Sequence, residues 1–176
     1  NGILYGLELE LRKNLDFISD FFADFNINGN FTYVQSQLEM TESEYDDRKA
    51  YERDGETIDR NRVMAGQAPY VVNAGITYGN RDMGLDAGLF YNVKGPTLTI
   101  VGSGLIPDVY TLPFSSLNFS LNKKLGAEKR TTLEFKISNI MGEKVSEVYR
   151  SYQAADMPYY SVYPARSFGI GLKYKL

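Results

Sequence analysis

The sequence predicts an all-β chain: about seven antiparallel strands with the character of a segment of a transmembrane β-barrel. Three observations carry that prediction. Apolar and polar residues alternate with period two in seven separate stretches, the links between the stretches alternate in length, and tyrosines recur toward the stretch ends.

In the first stretch Ile3, Tyr5, Leu7, Leu9 and Leu11 share a face opposite Leu4, Gly6, Glu8, Glu10 and Arg12. In the second, Phe25, Ile27, Gly29, Phe31 and Tyr33 oppose Asn26, Asn28, Asn30 and Thr32. The third runs from Tyr70 to Tyr78, with Val72, Ala74 and Ile76 against Asn73, Gly75 and Thr77. In the fourth, Leu85, Ala87, Leu89, Tyr91 and Val93 share a face. The fifth sets Leu117, Phe119 and Leu121 against Asn118, Ser120 and Asn122, and the sixth sets Leu133, Phe135 and Ile137 against Glu134, Lys136 and Ser138. In the last, Phe168, Ile170, Leu172, Tyr174 and Leu176 oppose Gly169, Gly171, Lys173 and Lys175, the two glycines giving the polar face room for a neighbour. Each such repeat buries or exposes one whole face, as a strand does.

Short links at 79–84 and 124–130 carry the Gly, Asn, Asp and charged residues of tight reversals. Long links occupy 39–69, 94–113 and 141–164, and residues 14–20 form one helical turn in a further short link. Long and short links in alternation fit a barrel with short turns on one side of a membrane and long loops on the other. Tyr5, Tyr33, Tyr78, Tyr91 and Tyr174 then form an interfacial belt, and the Asn and Ser faces line a wet interior. The alternative is a soluble sandwich in which the same apolar faces make the core. Seven is an odd count. It leaves the first and last strands as open apolar edges, which points to further strands of a larger barrel.

Composition removes several functions. The chain has no His, Cys or Trp, so zinc, haem, cysteine-nucleophile and His-triad chemistry find no ligands here. A net charge of −3 gives nucleic acid no electrostatic purchase. No stretch is long and apolar enough to span a bilayer as a helix, and the start lacks Met and a basic region, so it reads as neither signal nor anchor.

The segments Gly66-Gln67-Ala68-Pro69-Tyr70-Val71-Val72-Asn73-Ala74-Gly75-Ile76-Thr77-Tyr78, Tyr91-Asn92-Val93-Lys94-Gly95, Asp108-Val109-Tyr110-Thr111-Leu112-Pro113 and Pro164-Ala165-Arg166-Ser167-Phe168-Gly169-Ile170-Gly171-Leu172-Lys173-Tyr174 resemble, in order, the late barrel strands of Bacteroidetes-type TonB-dependent outer-membrane receptors. The resemblance implies that residues 1–176 are the C-terminal part of a 22-stranded barrel whose plug and earlier strands lie outside this chain. It implies transport of a nutrient across the outer membrane of a Gram-negative bacterium. The implied partners are the N-terminal barrel strands and plug, the TonB complex reached through the plug, outer-membrane lipid and a surface substrate-binding lipoprotein. The last residue, Leu176, departs from the family's terminal aromatic. A secretion or structural barrel and a soluble all-β binding module are the alternative functions.

The pattern assigns no catalytic, cofactor-binding, metal-ligating or substrate-binding residue, and no cofactor. Residues 39–62 carry nine acidic and five basic side chains, a net −4. They form a solvated loop or an external lid able to bind Ca²⁺ or steer a cation, without the spacing of an EF-hand. Glu8, Glu10 and Arg12 on one strand, and Glu134 and Lys136 on another, face the expected interior as water-satisfied groups. Glu8 and Glu10 share a face through the strand repeat alone, which does not set two carboxylates on either side of a glycosidic bond. The chain is expected not to be an enzyme. Asn30-Phe31-Thr32 and Asn118-Phe119-Ser120 match the glycosylation pattern but fall inside strands, and Tyr149, Tyr152, Tyr159 and Tyr160 in the last long link are candidates for stacking on sugars.

Overall fold

A computed structural model describes residues 1–176. All seven alternating stretches are strands: β1 (Gly2–Asn14), β2 (Phe25–Glu39), β4 (Tyr70–Asn80), β5 (Leu85–Lys94), β8 (Phe114–Leu125), β9 (Thr131–Ser138) and β12 (Ser167–Tyr174). They form one antiparallel sheet in the order β1-β2-β4-β5-β8-β9-β12, with the two-residue β3 (Asn61–Arg62) paired to β2. Neighbours along the chain are neighbours in space, so register is set hairpin by hairpin. Asn14 closes the first hairpin by donating from Nδ2 to the Ala23 carbonyl at 2.8 Å and accepting the Asp16 N–H at 2.7 Å. A single 3-10 turn, Asp20–Phe22, completes that link. Gly84 turns the β4–β5 hairpin at a φ of +60°, a conformation that costs a residue with a Cβ.

Because the strands alternate in direction, all three long links leave the same end of this sheet. They are not merely loops. The first contains helix α1 (Glu42–Ala50), capped by Thr41, whose Oγ1 accepts the Glu44 N–H at 3.2 Å. Glu42 and Glu44 lie in its first turn, and Arg48 and Lys49 in its last, as the helix dipole favours. The second link holds β6 (Thr97–Ile100) and β7 (Asp108–Thr111), and the third β10 (Val145–Arg150) and β11 (Met157–Val162). These four strands make a second sheet in the order β11-β10-β7-β6, joined across the two links by Val148 opposite Tyr110 and Tyr149 opposite Val109. The best-buried side chains, Leu98 and Val109, belong to this small sheet, with Val148 beside them.

Several expectations are corrected here. The chain forms two open sheets and no closed barrel, since the strand order ends unpaired at β1 and β12. Where a barrel would have free external loops, the links build a sheet of their own. The expected transmembrane barrel segment is therefore overturned, and with it the reading as an outer-membrane transporter, the outer-membrane location, and the plug, TonB, lipid and lipoprotein partners. The proposed tyrosine belt also dissolves in part: Tyr78 packs against Phe25 with ring centroids 5.0 Å apart, in a cluster with Phe21 and Phe22. The sandwich core is not observed either. The second sheet does not lie over the apolar face of the large one, where Ile3 is 65% and Ile170 79% exposed. No helix is long and apolar enough to cross a membrane.

Asparagines on the polar face of the large sheet bond to one another across four strands. Asn73 Nδ2 donates to Asn30 Oδ1 at 2.7 Å, Asn92 to Asn73 at 2.6 Å, and Asn118 to Asn92 at 3.2 Å. Asn118 Oδ1 accepts the backbone N–H of Asn139 at 3.0 Å. This directed chain of amides crosses β2, β4, β5 and β8, so the asparagines that read as a wet lining are sheet glue. Phe90, on the same face, covers the bare backbone of Gly75 and Gly88.

Candidate functional site

The three long links converge on one cleft. Its walls come from the end of α1 and the segment after it, from the turn between β6 and β7, and from the end of β10, and it encloses about 160 Å³. Residues far apart in sequence meet there because β7 pairs with β10 while α1 is tied to β7 by an ion pair.

That ion pair is the anchor. Arg48 of α1 donates from Nη2 to Asp108 Oδ1 at 2.6 Å and from Nη1 to Oδ2 at 3.3 Å. Asp108 Oδ1 also accepts the Gly102 N–H at 2.7 Å, which folds the intervening segment back on itself. A Cβ on Gly102 would collide with the Ile106 carbonyl, so only glycine allows that approach. Burial opposes the Arg48 charge, but the bond to Asp108 and the nearby Glu44 carboxylate outweigh it and hold the guanidinium above its ordinary pKa. Arg48 Nε has no hydrogen-bond partner: Glu44 Oε1, which accepts from Arg62 Nε at 2.5 Å, lies 3.8 Å from it, too far for a hydrogen bond.

The other wall is held in the same manner. Arg150 grips Asp156 through Nε at 3.2 Å and Nη2 at 2.8 Å, and its guanidinium lies 4.8 Å from the centre of the Tyr110 ring. The bond to Arg150 keeps the Asp156 carboxyl below the ordinary carboxylate range. Burial, with the Asp108 charge beside it, raises the Tyr110 hydroxyl above its usual value against the pull of Arg150 and Arg48. Tyr152 donates its hydroxyl to the Gly55 carbonyl at 2.6 Å, and Ser103 donates to Asp47 Oδ2 at 2.8 Å, pinning both neighbouring links to the first one.

Within this frame some groups are left over. Arg53 makes no ion pair, and Glu56 is engaged only by the Arg53 backbone N–H, at 3.1 Å to Oε2. Tyr51 is half exposed beside Gly104, and Leu105 and Ile106 stand at the tip of the β6–β7 turn, 79% and 63% exposed.

The residues singled out from sequence are distributed differently. Glu10 pairs with Arg12 at 2.7 Å and Glu134 with Lys173 at 2.6 Å, both on the polar face and far from the cleft. The acidic segment 39–62 is neither a free loop nor a metal site. Glu44 is bonded to Arg62, Asp47 to Ser103 and Glu52 to Lys49, and no group of three acidic side chains comes together to hold a metal ion. Of the four loop tyrosines, Tyr152 reaches the cleft, while Tyr149 packs edge-on against Tyr159 at 5.1 Å and Tyr160 is exposed on β11. Arg48, Asp108 and Arg150 were not anticipated. Their signal in the sequence is the run of short β-prone stretches TLTI, DVYT and VSEVYR inside links otherwise read as loops.

Fold and cleft together define a two-sheet all-β protein with a cleft built from its connections. No family model, curated protein or solved structure matches the chain, so the resemblance of residues 66–176 to TonB-dependent receptors is not upheld.

Proposed function

We propose that this chain is a binding module rather than an enzyme, and that its ligand occupies the cleft between the three long links. The observation that carries this reading is the division of labour among the cleft's polar groups. Arg48 with Asp108 and Arg150 with Asp156 are spent on holding the walls, while Arg53, Glu56 and Tyr51 remain free for a guest. Rigid walls with a few uncommitted polar groups lower the ordering cost of binding. The cleft offers recognition rather than an acid–base pair, since its best-buried carboxylate, Asp108, is engaged by Arg48 and Gly102.

The test is a ligand-observed NMR screen of a small polar fragment set against the wild-type chain and Tyr51→Ala. Fragments that bind the wild type and lose at least half their signal with Tyr51→Ala support the cleft. Hits indifferent to the substitution, or no hits, retire the reading.

A further inference from the structure

We infer that the ligand class of this cleft is a neutral saccharide, held one sugar ring deep. The inference rests on the reading of the cleft as the binding site and adds the chemistry of what fills it. Charge balance is the first argument. The two wall guanidinia are each neutralised by a bidentate carboxylate, and the two uncommitted groups, Arg53 and Glu56, carry opposite charges. A free cation or anion would meet no net field of opposite sign, whereas a neutral ligand pays no charge-burial penalty on entering.

Hydrogen-bonding capacity is the second argument. A guanidinium presents a fork of donors and a carboxylate a pair of acceptors. Adjacent hydroxyls of a sugar, each both donor and acceptor, match a fork of each kind, which an apolar or purely accepting ligand does not.

Shape is the third. Tyr51 is half exposed and Tyr152 is fixed through its hydroxyl, so the cleft keeps two aromatic rings beside its polar groups. Leu105 and Ile106 add an apolar lip for the C–H face of a ring. The volume, about 160 Å³, falls short of the roughly 300–1,000 Å³ of sites for drug-sized molecules, so the cleft suits a small ligand.

Isothermal titration and saturation-transfer NMR with glucose, maltose and cellobiose, set beside glucuronate and glucosamine as charged versions of the same ring, test the inference. The expected result is binding of at least one neutral sugar, unchanged within twofold between 50 and about 500 mM salt, as uncharged recognition requires. That binding falls at least tenfold in Tyr51→Ala and in Arg53→Gln, two exposed positions whose side chains hold no wall, with the unfolding midpoint of each variant as the control for folding. Glucuronate or glucosamine binding tenfold more tightly than glucose overturns the neutral assignment. Cleft-directed fragments without any sugar binding overturn the saccharide and leave the binding-module reading standing. Absence of both fragment and sugar binding overturns the two together.

Discussion

Arg48 and Asp108 illustrate how much of this molecule hangs on single side chains. The two are 20% and 17% exposed, and removing one partner leaves the other charged, mostly buried and unpaired. Asp108→Ala is therefore expected to lower stability by about 3 kcal/mol in urea unfolding. The apolar double replacement Arg48→Met with Asp108→Leu is expected to recover at least half of that loss. Arg150 and Asp156 make a weaker, solvent-facing counterpart whose pH dependence has a definite sign. The folded-state pKa of Asp156 is depressed, so its contribution is present above the ordinary carboxyl value near pH 4 and is lost as pH falls through the lower folded value. A carboxyl ¹³C titration is expected to show Asp156 with a midpoint below that ordinary value, returning to it in Arg150→Gln.

Strand β12, like β1 at the opposite edge, depends on a single neighbour. It pairs only with β9, from Ser167 opposite Ser138 to Tyr174 opposite Thr131, and its outer edge is open. Lys173 fastens it to β9 through Glu134, whose carboxyl is held below its ordinary range by that bond. Glu134→Gln is expected to raise amide hydrogen exchange in β12 several-fold while leaving β4 and β5, each paired on both sides, unchanged. Which elements exist was largely legible in the sequence. Each of the seven long strands has enough alternating residues to declare its period and its apolar face. The second sheet was not, because β6 and β7 have four residues each and β10 and β11 six, too few to establish a repeat. Helix α1 was hidden in the same way. Its nine residues, ESEYDDRKA, carry no apolar stripe, and charge complementarity with β3 and β7 holds it in place.

At the scale of the whole molecule, the two open edges and the uncovered apolar face set the behaviour. Leu7, Leu9 and Leu11 on β1 and Phe168, Ile170 and Leu172 on β12 are all more than half exposed, and both strands end in unpaired backbone. Such edges recruit other strands. Sedimentation without detergent is expected to show concentration-dependent association, reduced when Leu9→Lys and Ile170→Lys place a charge on each edge. A single monomeric species for the unaltered chain across micromolar to millimolar concentrations would contradict this.

The sequence by itself determined the seven long strands, their facing and the end from which the long links depart, because period and hairpin order are local properties. The tertiary structure decided how the links fold. The pairing of β7 with β10, the Arg48–Asp108 bridge and the cleft they frame join residues 36 to 97 positions apart through contacts that leave no periodic trace. It also decided that the sheet stays open. Alternation specifies that a strand has two different faces, but what covers the apolar one, and whether the last strand meets the first, depends on contacts that no single stretch encodes.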